Sequence, residues 1–166
     1  MRAEVVRHLL IVTQQYGVFG LGLGMFLESI GIPFASAFVA LTAGTLITSG
    51  KTTFFEVLLI TTTGLTLGSI VSYYIGYWGS LLGRNFTEKK KDKLENSPFL
   101  KQYKRWGEIA ILFAQLFGTT RTWASIPAGI MKMKFSKFIL FTIIGGAIYC
   151  ALAISFSLVL ATFYAR

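Results

Sequence analysis

The chain has 166 residues, of which 54% are hydrophobic and 14% are charged, and its mean hydropathy is +0.63. A soluble domain carries about 25% charged residues, so this composition excludes an ordinary secreted or cytosolic domain. It predicts an integral membrane protein with a single domain over residues 1–166. The net charge of +9 does not indicate nucleic-acid binding, because half of the 16 Lys and Arg residues lie between two apolar segments, at residues 84–105.

The first third of the chain predicts a surface helix followed by a broken apolar segment. Residues 1–15 form about 23 Å of amphipathic helix, which is shorter than the ~30 Å hydrocarbon core and suits the membrane surface. Residues 17–49 are apolar but are interrupted by Glu28, Gly31 and Pro33. A charged residue and a proline both disfavour a helix that faces lipid. We therefore expect a re-entrant hairpin that turns at residues 31–33, and the alternative is a kinked helix that spans the membrane.

The remaining segments follow the same pattern. Residues 54–82 predict the first full span, with small residues spaced for close helix packing at Gly64, Gly68, Gly76 and Gly79. Residues 83–106 form a basic loop with a second interfacial helix, and the positive-inside rule places this loop in the cytoplasm. Residues 107–131 predict a second broken hairpin with its breaker at residues 118–120. Residues 135–163 predict the second full span.

An internal repeat relates the two halves of the sequence. A shift of 85 positions aligns Pro33 with Gly118 and Gly44 with Gly129. A unit with one full crossing reverses its direction when it is repeated, so we predict an all-α integral membrane fold of two inverted repeats, residues 1–83 and 84–166. Each repeat would contain an interfacial helix, a re-entrant hairpin and a full span, and the alternative is two unrelated amphipathic hairpins. The residues that we predict at structural turns are Gly31, Pro33, Gly44, Gly118, Pro127 and Gly129.

The second hairpin contains Arg121, the sharpest candidate for a binding residue. An arginine inside a membrane is costly unless water or an anion accompanies it, and its planar guanidinium suits a phosphate. The alternative is a structural ion pair between Arg121 and Glu28 that locks the two hairpins together. Apart from Glu56 near a span end, Glu28 is the only acid in an apolar segment, and it is the candidate for proton coupling. The predicted substrate-binding residues are Arg121, Glu28, Thr119, Thr120, Thr122, Gln115 and Ser125.

The sequence lacks the residue sets of common enzymes. His8 is the only histidine, and no Cys, His or Asp cluster has metal-ligand spacing. We therefore predict no enzyme, no cofactor and no metal.

The broken segments resemble the DedA family (SNARE-associated, VTT-domain membrane proteins) over roughly residues 17–160. The ordered set of motifs carries the resemblance: Glu28, Gly31, Pro33 and Ala43–Gly44 in the first hairpin, Gly68–Ser69, Tyr73 and Gly76–Tyr77 in the first span, and Ala114–Thr122 with Pro127–Gly129 in the second hairpin. The resemblance implies translocation of a lipid phosphate such as undecaprenyl phosphate, or of a related anionic phospholipid, across the inner membrane. Its expected partners are membrane lipids, and the sequence leaves open whether the chain forms a homo-oligomer.

Neutral residues replace several charged positions of the family pattern. Ala37 and Ser69 stand where the family has acidic residues, and Gln115 stands where it has the first arginine of the second hairpin. These departures count against a proton-coupled mechanism. They favour a second hypothesis, that the chain is a non-transporting membrane scaffold or assembly factor. A proton-coupled antiporter that uses Glu28 is a third and weaker hypothesis.

Overall fold

A computed structural model describes residues 17–31, 35–82, 109–116 and 118–164. The regular structure of these residues is helical. In chain order the helices are α1 (Gly17–Ile30), α2 (Ala35–Thr48), α3 (Phe54–Leu82), α4 (Ile109–Leu116), α5 (Gly118–Ile130) and α6 (Phe135–Tyr164). The surface helices predicted at residues 1–15 and within residues 83–106 lie outside this described part of the chain.

Helices α3 and α6 are the two spans that the sequence predicts. They have 29 and 30 residues, which is about 45 Å of helix and more than the ~30 Å hydrocarbon core requires. Within them, Phe54–Gly79 and Phe135–Phe163 are apolar enough to cross a membrane, and only 28% of each apolar window is buried inside the protein. Large apolar side chains therefore face outward, as a lipid environment requires. Examples are Leu59, Leu67, Ile75, Leu140, Leu152 and Phe156.

The two long helices run antiparallel. Leu65 Cδ2 lies 2.8 Å from the position of a Cβ added at Gly146, and the rings of Tyr73 and Phe138 lie 4.7 Å apart between centroids. Residues later in α3 therefore contact residues earlier in α6, closer to Phe135. This direction places the start of α6 beside the last third of α3.

The first helix pair breaks where the sequence predicts. Helix α1 ends at Ile30, and Gly31 follows with a φ of 126°, a conformation that favours glycine because it has no Cβ. The Gly31 N–H donates a hydrogen bond of 3.0 Å to the Glu28 carbonyl. Pro33, predicted to share this turn, lies outside the described residues. The sequence therefore predicts the end of α1 at Gly31 correctly.

The second helix pair differs from the prediction at its predicted turn. Helix α4 ends at Leu116, and Gly118, predicted as a turn, is the first residue of α5. The N–H groups in the first turn of a helix have no intrahelical acceptors. A Gly-Thr-Thr run can therefore begin a helix as readily as it can end one. Pro127 was also predicted at a turn but lies inside α5. Packed membrane helices tolerate an internal proline where neighbouring helices satisfy the freed backbone groups.

The predicted turns at Gly44 and Gly129 are wrong, because both residues lie inside helices at close helix contacts. Gly44 lies in α2, and a Cβ added there would collide with the Ser157 carbonyl oxygen of α6 and stand 2.9 Å from Leu158 N. Gly129 lies in α5, where a Cβ would collide with the Tyr73 carbonyl oxygen of α3 and stand 2.8 Å from Tyr77 N. Both glycines therefore allow two backbones to approach each other.

The glycines of α3 also provide contact faces, with one exception. Gly64 and Gly68 lie against the backbone of α1 at Gly22 and Phe26, and Gly76 lies against the Ile126 carbonyl of α5. A Cβ at Gly79, which the sequence assigned to the same packing face, would meet nothing within 4 Å. Helix α3 therefore packs on α1 along its first two thirds and on α5 near its end.

Two buried apolar clusters hold these helices together. The first joins α1, α2, α3 and α6, and it includes Leu21, Val39 and Leu65 together with the buried Cys150. The second joins Tyr73 of α3 to Ile111, Ala128, Met133 and Phe138. Contacts between helices follow a crossed pattern: α1 lies on α3 and α4 on α6, whereas α2 lies on α6 and α5 on α3.

Candidate functional site

Glu28 is buried near the tip of the first helix pair. Its exposed fraction is 4%, and it stands two residues before the end of α1. The neighbouring Ser29 carbonyl accepts a 2.7 Å hydrogen bond from Ser72 Oγ. Ser72 lies 18 residues beyond Phe54 in α3, which is about 27 Å along the helix. A carboxylate therefore lies deep within the helical bundle, on a helix that runs parallel to α3.

Gln115 is buried one residue before the end of α4, the first helix of the second pair. Its exposed fraction is 0%, and a Cβ added at Gly145 in α6 would lie 2.7 Å from its Cβ. Gly145 is next to Gly146, which contacts Leu65, so Gln115 stands at the level where α3 and α6 cross. Both polar atoms of its amide, Oε1 and Nε2, lack a hydrogen-bond partner among the residues that the structure describes.

Two hydroxyl groups share this condition. Ser125 Oγ in α5 and Thr142 Oγ1 in α6 are buried, and the described residues offer neither a hydrogen-bond partner. A buried polar group without a partner costs about 1–3 kcal/mol, so native structures rarely keep several together. Thr142 lies one turn from Phe138, whose ring lies beside Tyr73 of α3, and one turn from Gly146, which meets Leu65 of α3, so it belongs to the side of α6 that faces α3. Gln115, Ser125 and Thr142 can therefore each form hydrogen bonds that the described side chains do not supply.

Arg121 and its threonine neighbours belong to the first turns of α5. Thr119, Thr120, Arg121 and Thr122 all follow Gly118, the first residue of that helix; their backbone is helical, and their side chains lie outside the description. The first N–H groups of a helix have no intrahelical acceptor and carry positive partial charge, which favours anions. The predicted phosphate-binding residues therefore lie at a helix start that is close in sequence to Gln115.

Sequence reasoning missed four buried polar residues that hold or line this arrangement. Thr142 is fully buried in α6, Ser72 donates to the Ser29 carbonyl, and Tyr73 Oη donates a 2.6 Å hydrogen bond to the Met133 carbonyl. Ser157 Oγ accepts a 2.7 Å hydrogen bond from the Gly44 N–H. The sequence could have indicated that Thr142 and Ser72 are buried, since each lies one helical turn from a glycine of its own helix, Gly145 or Gly68. No comparable sequence pattern indicates the hydrogen-bond partners of Tyr73 and Ser157.

Described charges are distributed unequally between the two ends of the bundle. Lys132, Lys134 and Lys137 are exposed around the start of α6, the end that α3 approaches with its last third. The opposite end, between α2 and α3, carries Lys51 and Glu56. Glu56 Oε2 accepts a hydrogen bond from the Thr53 N–H at 2.8 Å, and Thr53 Oγ1 accepts one from the Glu56 N–H, which caps the start of α3. One end of the bundle is thus distinctly more basic.

Comparison with known proteins identifies relatives over most of the chain. A family model described as the VTT domain matches residues 32–158. An uncharacterized membrane protein of Synechocystis sp. is 30% identical, over 87% of this chain and 67% of its own length. An alkaline phosphatase-like protein of Lactococcus lactis subsp. cremoris is 26% identical, over 87% of this chain and 71% of its own. Undecaprenyl phosphate transporter A of Bacillus subtilis is 26% identical, over 85% of this chain and 70% of its own.

No solved structure matches the chain. The family match covers well over half of the sequence and includes α2 to α5 and most of α6. It confirms the resemblance inferred from the broken segments and agrees with the two apolar spans. The chain therefore belongs to the VTT domain (DedA) family of membrane proteins.

Proposed function

We propose that the protein carries a lipid phosphate, such as a polyprenyl phosphate or a related anionic phospholipid, across the cytoplasmic membrane. The observation that carries the proposal is the crossed packing of two broken helix pairs on two antiparallel spans. Broken helices at membrane depth are tolerated where protein buries them or where they line a cavity, and in transporters they form the binding site. The similarity to a protein named undecaprenyl phosphate transporter A supports the choice of substrate class.

The crossed packing supports two inverted repeats, residues 1–83 and 84–166. Each short first helix packs on the span of its own half, and each second helix packs on the span of the other half. Gly44 and Gly129, which the repeat aligns, each meet the backbone of the opposite span. The antiparallel direction of α3 and α6 is what an inverted pair requires. In this proposal the two helix pairs are re-entrant hairpins that enter from opposite faces.

Charge at the ends of the bundle supports an orientation. Lys132, Lys134 and Lys137 lie at the end where α3 finishes, and the basic residues 83–106 follow α3 directly. Cytoplasmic segments carry an excess of Lys and Arg. The proposal therefore places residues 83–106 and the start of α6 in the cytoplasm, in a multi-pass protein of the inner membrane.

Arg121 receives the phosphate in this mechanism. The start of α5 offers N–H donors beside its guanidinium, and the hydroxyls of Thr119, Thr120, Thr122 and Ser125 add neutral donors. Glu28 pairs with Arg121 in the empty protein, and the lipid phosphate displaces it. The headgroup crosses between the two hairpins while the acyl or prenyl tail stays in lipid. The chain acts in this proposal as a carrier and not as an enzyme.

A flipping assay tests this assignment. The native chain, Arg121→Ala, Arg121→Lys and Glu28→Gln are reconstituted in liposomes with a fluorescent lipid phosphate, and the exposed label is quenched with time. A hydrogen bond to a charged group contributes about 1.5–3 kcal/mol, so Arg121→Ala should lower the rate by at least about tenfold. Lys134→Ala, which removes one exposed positive charge, is the matched control and should keep the native rate.

The other outcomes are equally informative. A native rate in Arg121→Ala rejects the phosphate role of that residue. A native chain that is no faster than empty liposomes favours the scaffold function, which the neutral residues Ala37, Ser69 and Gln115 support. A rate that depends on a pH gradient in the native chain and not in Glu28→Gln would favour a proton-coupled antiporter.

A further inference from the structure

Helices α2 and α5 are followed by the same backbone conformation but by different residues. Gly50, two residues after α2, has a φ of 72°, and Lys132, two residues after α5, has a φ of 52°. Lys132 is the only described residue other than glycine with a positive φ. A side chain is strained in this left-handed region, and glycine is the usual residue there at the end of a helix. The end of α5 therefore carries a lysine where a glycine would relieve strain.

Hydrogen bonds hold Lys132 in this conformation. Its N–H donates to the Gly129 carbonyl at 2.9 Å, and the Met133 N–H donates to the Ala128 carbonyl at 3.1 Å. These two bonds form a Schellman motif, which requires a left-handed residue at position 132. The buried Met133 also accepts, at its carbonyl, the 2.6 Å hydrogen bond from Tyr73 Oη of α3. The exposed side chain of Lys132 therefore extends from a turn that is fixed to α3.

This turn lies at one edge of the apolar part of the bundle. The ring of Phe135, three residues after Lys132, lies 5.5 Å from the ring of Tyr74 between centroids. Tyr74 and Trp78, one helical turn apart on α3, are exposed, and such side chains are enriched where a membrane meets water. Tyr74 follows the start of α3 at Phe54 by about 30 Å of helix, which equals the thickness of the hydrocarbon core. Lys132 therefore lies at the level of the lipid headgroups.

We propose that Lys132 binds the phosphate of an anionic phospholipid and holds this lipid beside the start of α6. Lys137, exposed in the first turn of α6, adds a second positive charge at the same edge. A lysine ammonium is a compact charge that contacts phosphate oxygens, and each lysine near an anionic membrane surface adds to the attraction. The exposed rings of Tyr74 and Phe135 offer apolar surface to the acyl chains. The inference does not depend on the proposed transport, since a lipid can bind here to a chain that moves none.

The competing explanation is that Lys132 stabilises the negative end of the α5 dipole. The carbonyls of Ala128 and Gly129 already have backbone donors, so the ammonium is not needed to satisfy them. The two explanations predict opposite effects on the lipid-free full chain in detergent. We expect Lys132→Gly to raise the Tm by about 2–4 °C because it relieves the strain, and Gly50→Lys to lower it. A Tm that falls in Lys132→Gly would overturn the inference.

Native mass spectrometry of the full chain in detergent measures the headgroup contact. Phosphatidylglycerol is the anionic probe, and phosphatidylcholine with the same acyl chains is the lipid without net charge. We expect the native chain to bind phosphatidylglycerol more tightly than phosphatidylcholine. Lys132→Gly should lower the affinity for phosphatidylglycerol about fivefold, the effect of one lysine near an anionic surface. Lys132→Arg should retain the native affinity because it keeps the charge.

Lys51→Ala is the matched control for a general effect of charge. Lys51 is exposed at the opposite end of the bundle, where the exposed Glu56 balances it among the described residues. Its removal should leave the affinity for phosphatidylglycerol close to the native value. An unchanged affinity in Lys132→Gly, an equal loss in Lys51→Ala, or equal binding of the two lipids by the native chain would overturn the inference. These measurements involve no transfer between leaflets, so their failure leaves the transport proposal standing.

Discussion

The closest test of the crossed packing is a methyl group added at Gly44. Its Cβ would meet the Ser157 carbonyl oxygen and stand 2.9 Å from Leu158 N, and these are backbone atoms that cannot rotate away. Helix α2 must therefore move from α6, which also lengthens the buried 2.7 Å hydrogen bond from the Gly44 N–H to Ser157 Oγ. Overpacking costs about 1–3 kcal/mol, and a lost hydrogen bond costs about 0.5–1.5 kcal/mol.

Helix propensity acts in the opposite direction. Alanine is better than glycine inside a helix by roughly 0.5–1 kcal/mol, so Gly44→Ala should be destabilised by about 1–3 kcal/mol in total. At ~2–4 °C per kcal/mol for a chain of this size, its Tm should fall by about 2–12 °C. Gly79→Ala is the matched control, because a Cβ there meets nothing within 4 Å. Its Tm should stay constant or rise.

Thermal unfolding in detergent, followed by the loss of helical circular dichroism, measures both variants. Equal Tm values for Gly44→Ala and Gly79→Ala would show that α2 and α6 do not approach as closely as described. A fall in Gly79→Ala would refute the use of glycine contacts to identify the packed faces.

Three further predictions concern the polar contacts. Tyr73→Phe should lower stability by about 1–2 kcal/mol, because it removes the buried hydrogen bond to the Met133 carbonyl; Tyr74→Phe, at an exposed position, should be neutral in the same unfolding assay. Ser157→Ala should cost about 1 kcal/mol because the Gly44 N–H loses its acceptor, and a Tm equal to that of the exposed Thr162→Ala would argue against that contact. Gly145→Ala should force α4 from α6 and lower the Tm in the same unfolding assay, because the added Cβ would lie 2.7 Å from the Gln115 Cβ, and an unchanged Tm would contradict the contact between Gly145 and Gln115.

The two spans and the first break follow from sequence because each has a strong local cause. The two long apolar runs contain no residue that interrupts the helix. Gly31 occupies a backbone conformation that glycine adopts most easily. Gly118 was predicted at a turn but begins α5, because a Gly-Thr-Thr run suits a helix start as well as a turn. Gly44 and Gly129 were assigned to turns for a related reason: the sequence records a missing side chain but not whether a turn or a neighbouring backbone requires it.

The polar site was predicted only in part, since burial and partners depend on tertiary contacts. Glu28 was identified as an acid in an apolar segment, Gln115 as the residue in place of the family's arginine and Ser125 as a hydroxyl near Arg121 in the sequence, and all three are buried. Thr142 was missed because a threonine in a long apolar span usually bonds to its own helix backbone, as Thr61 does. Only the tertiary structure shows that Thr142 is fully buried without such a bond among the described residues.

The most direct measurement of the central claim compares two labelled lipids that differ only in the phosphate. Liposomes that contain the native chain are loaded with a fluorescent polyprenyl phosphate or with the corresponding polyprenol, and the rate of transfer between leaflets is recorded against protein-free liposomes. The account predicts that the protein accelerates the phosphate-bearing lipid by at least about tenfold more than the alcohol, because one charge-assisted contact distinguishes them. Equal acceleration of both lipids, or no acceleration of either, would contradict it.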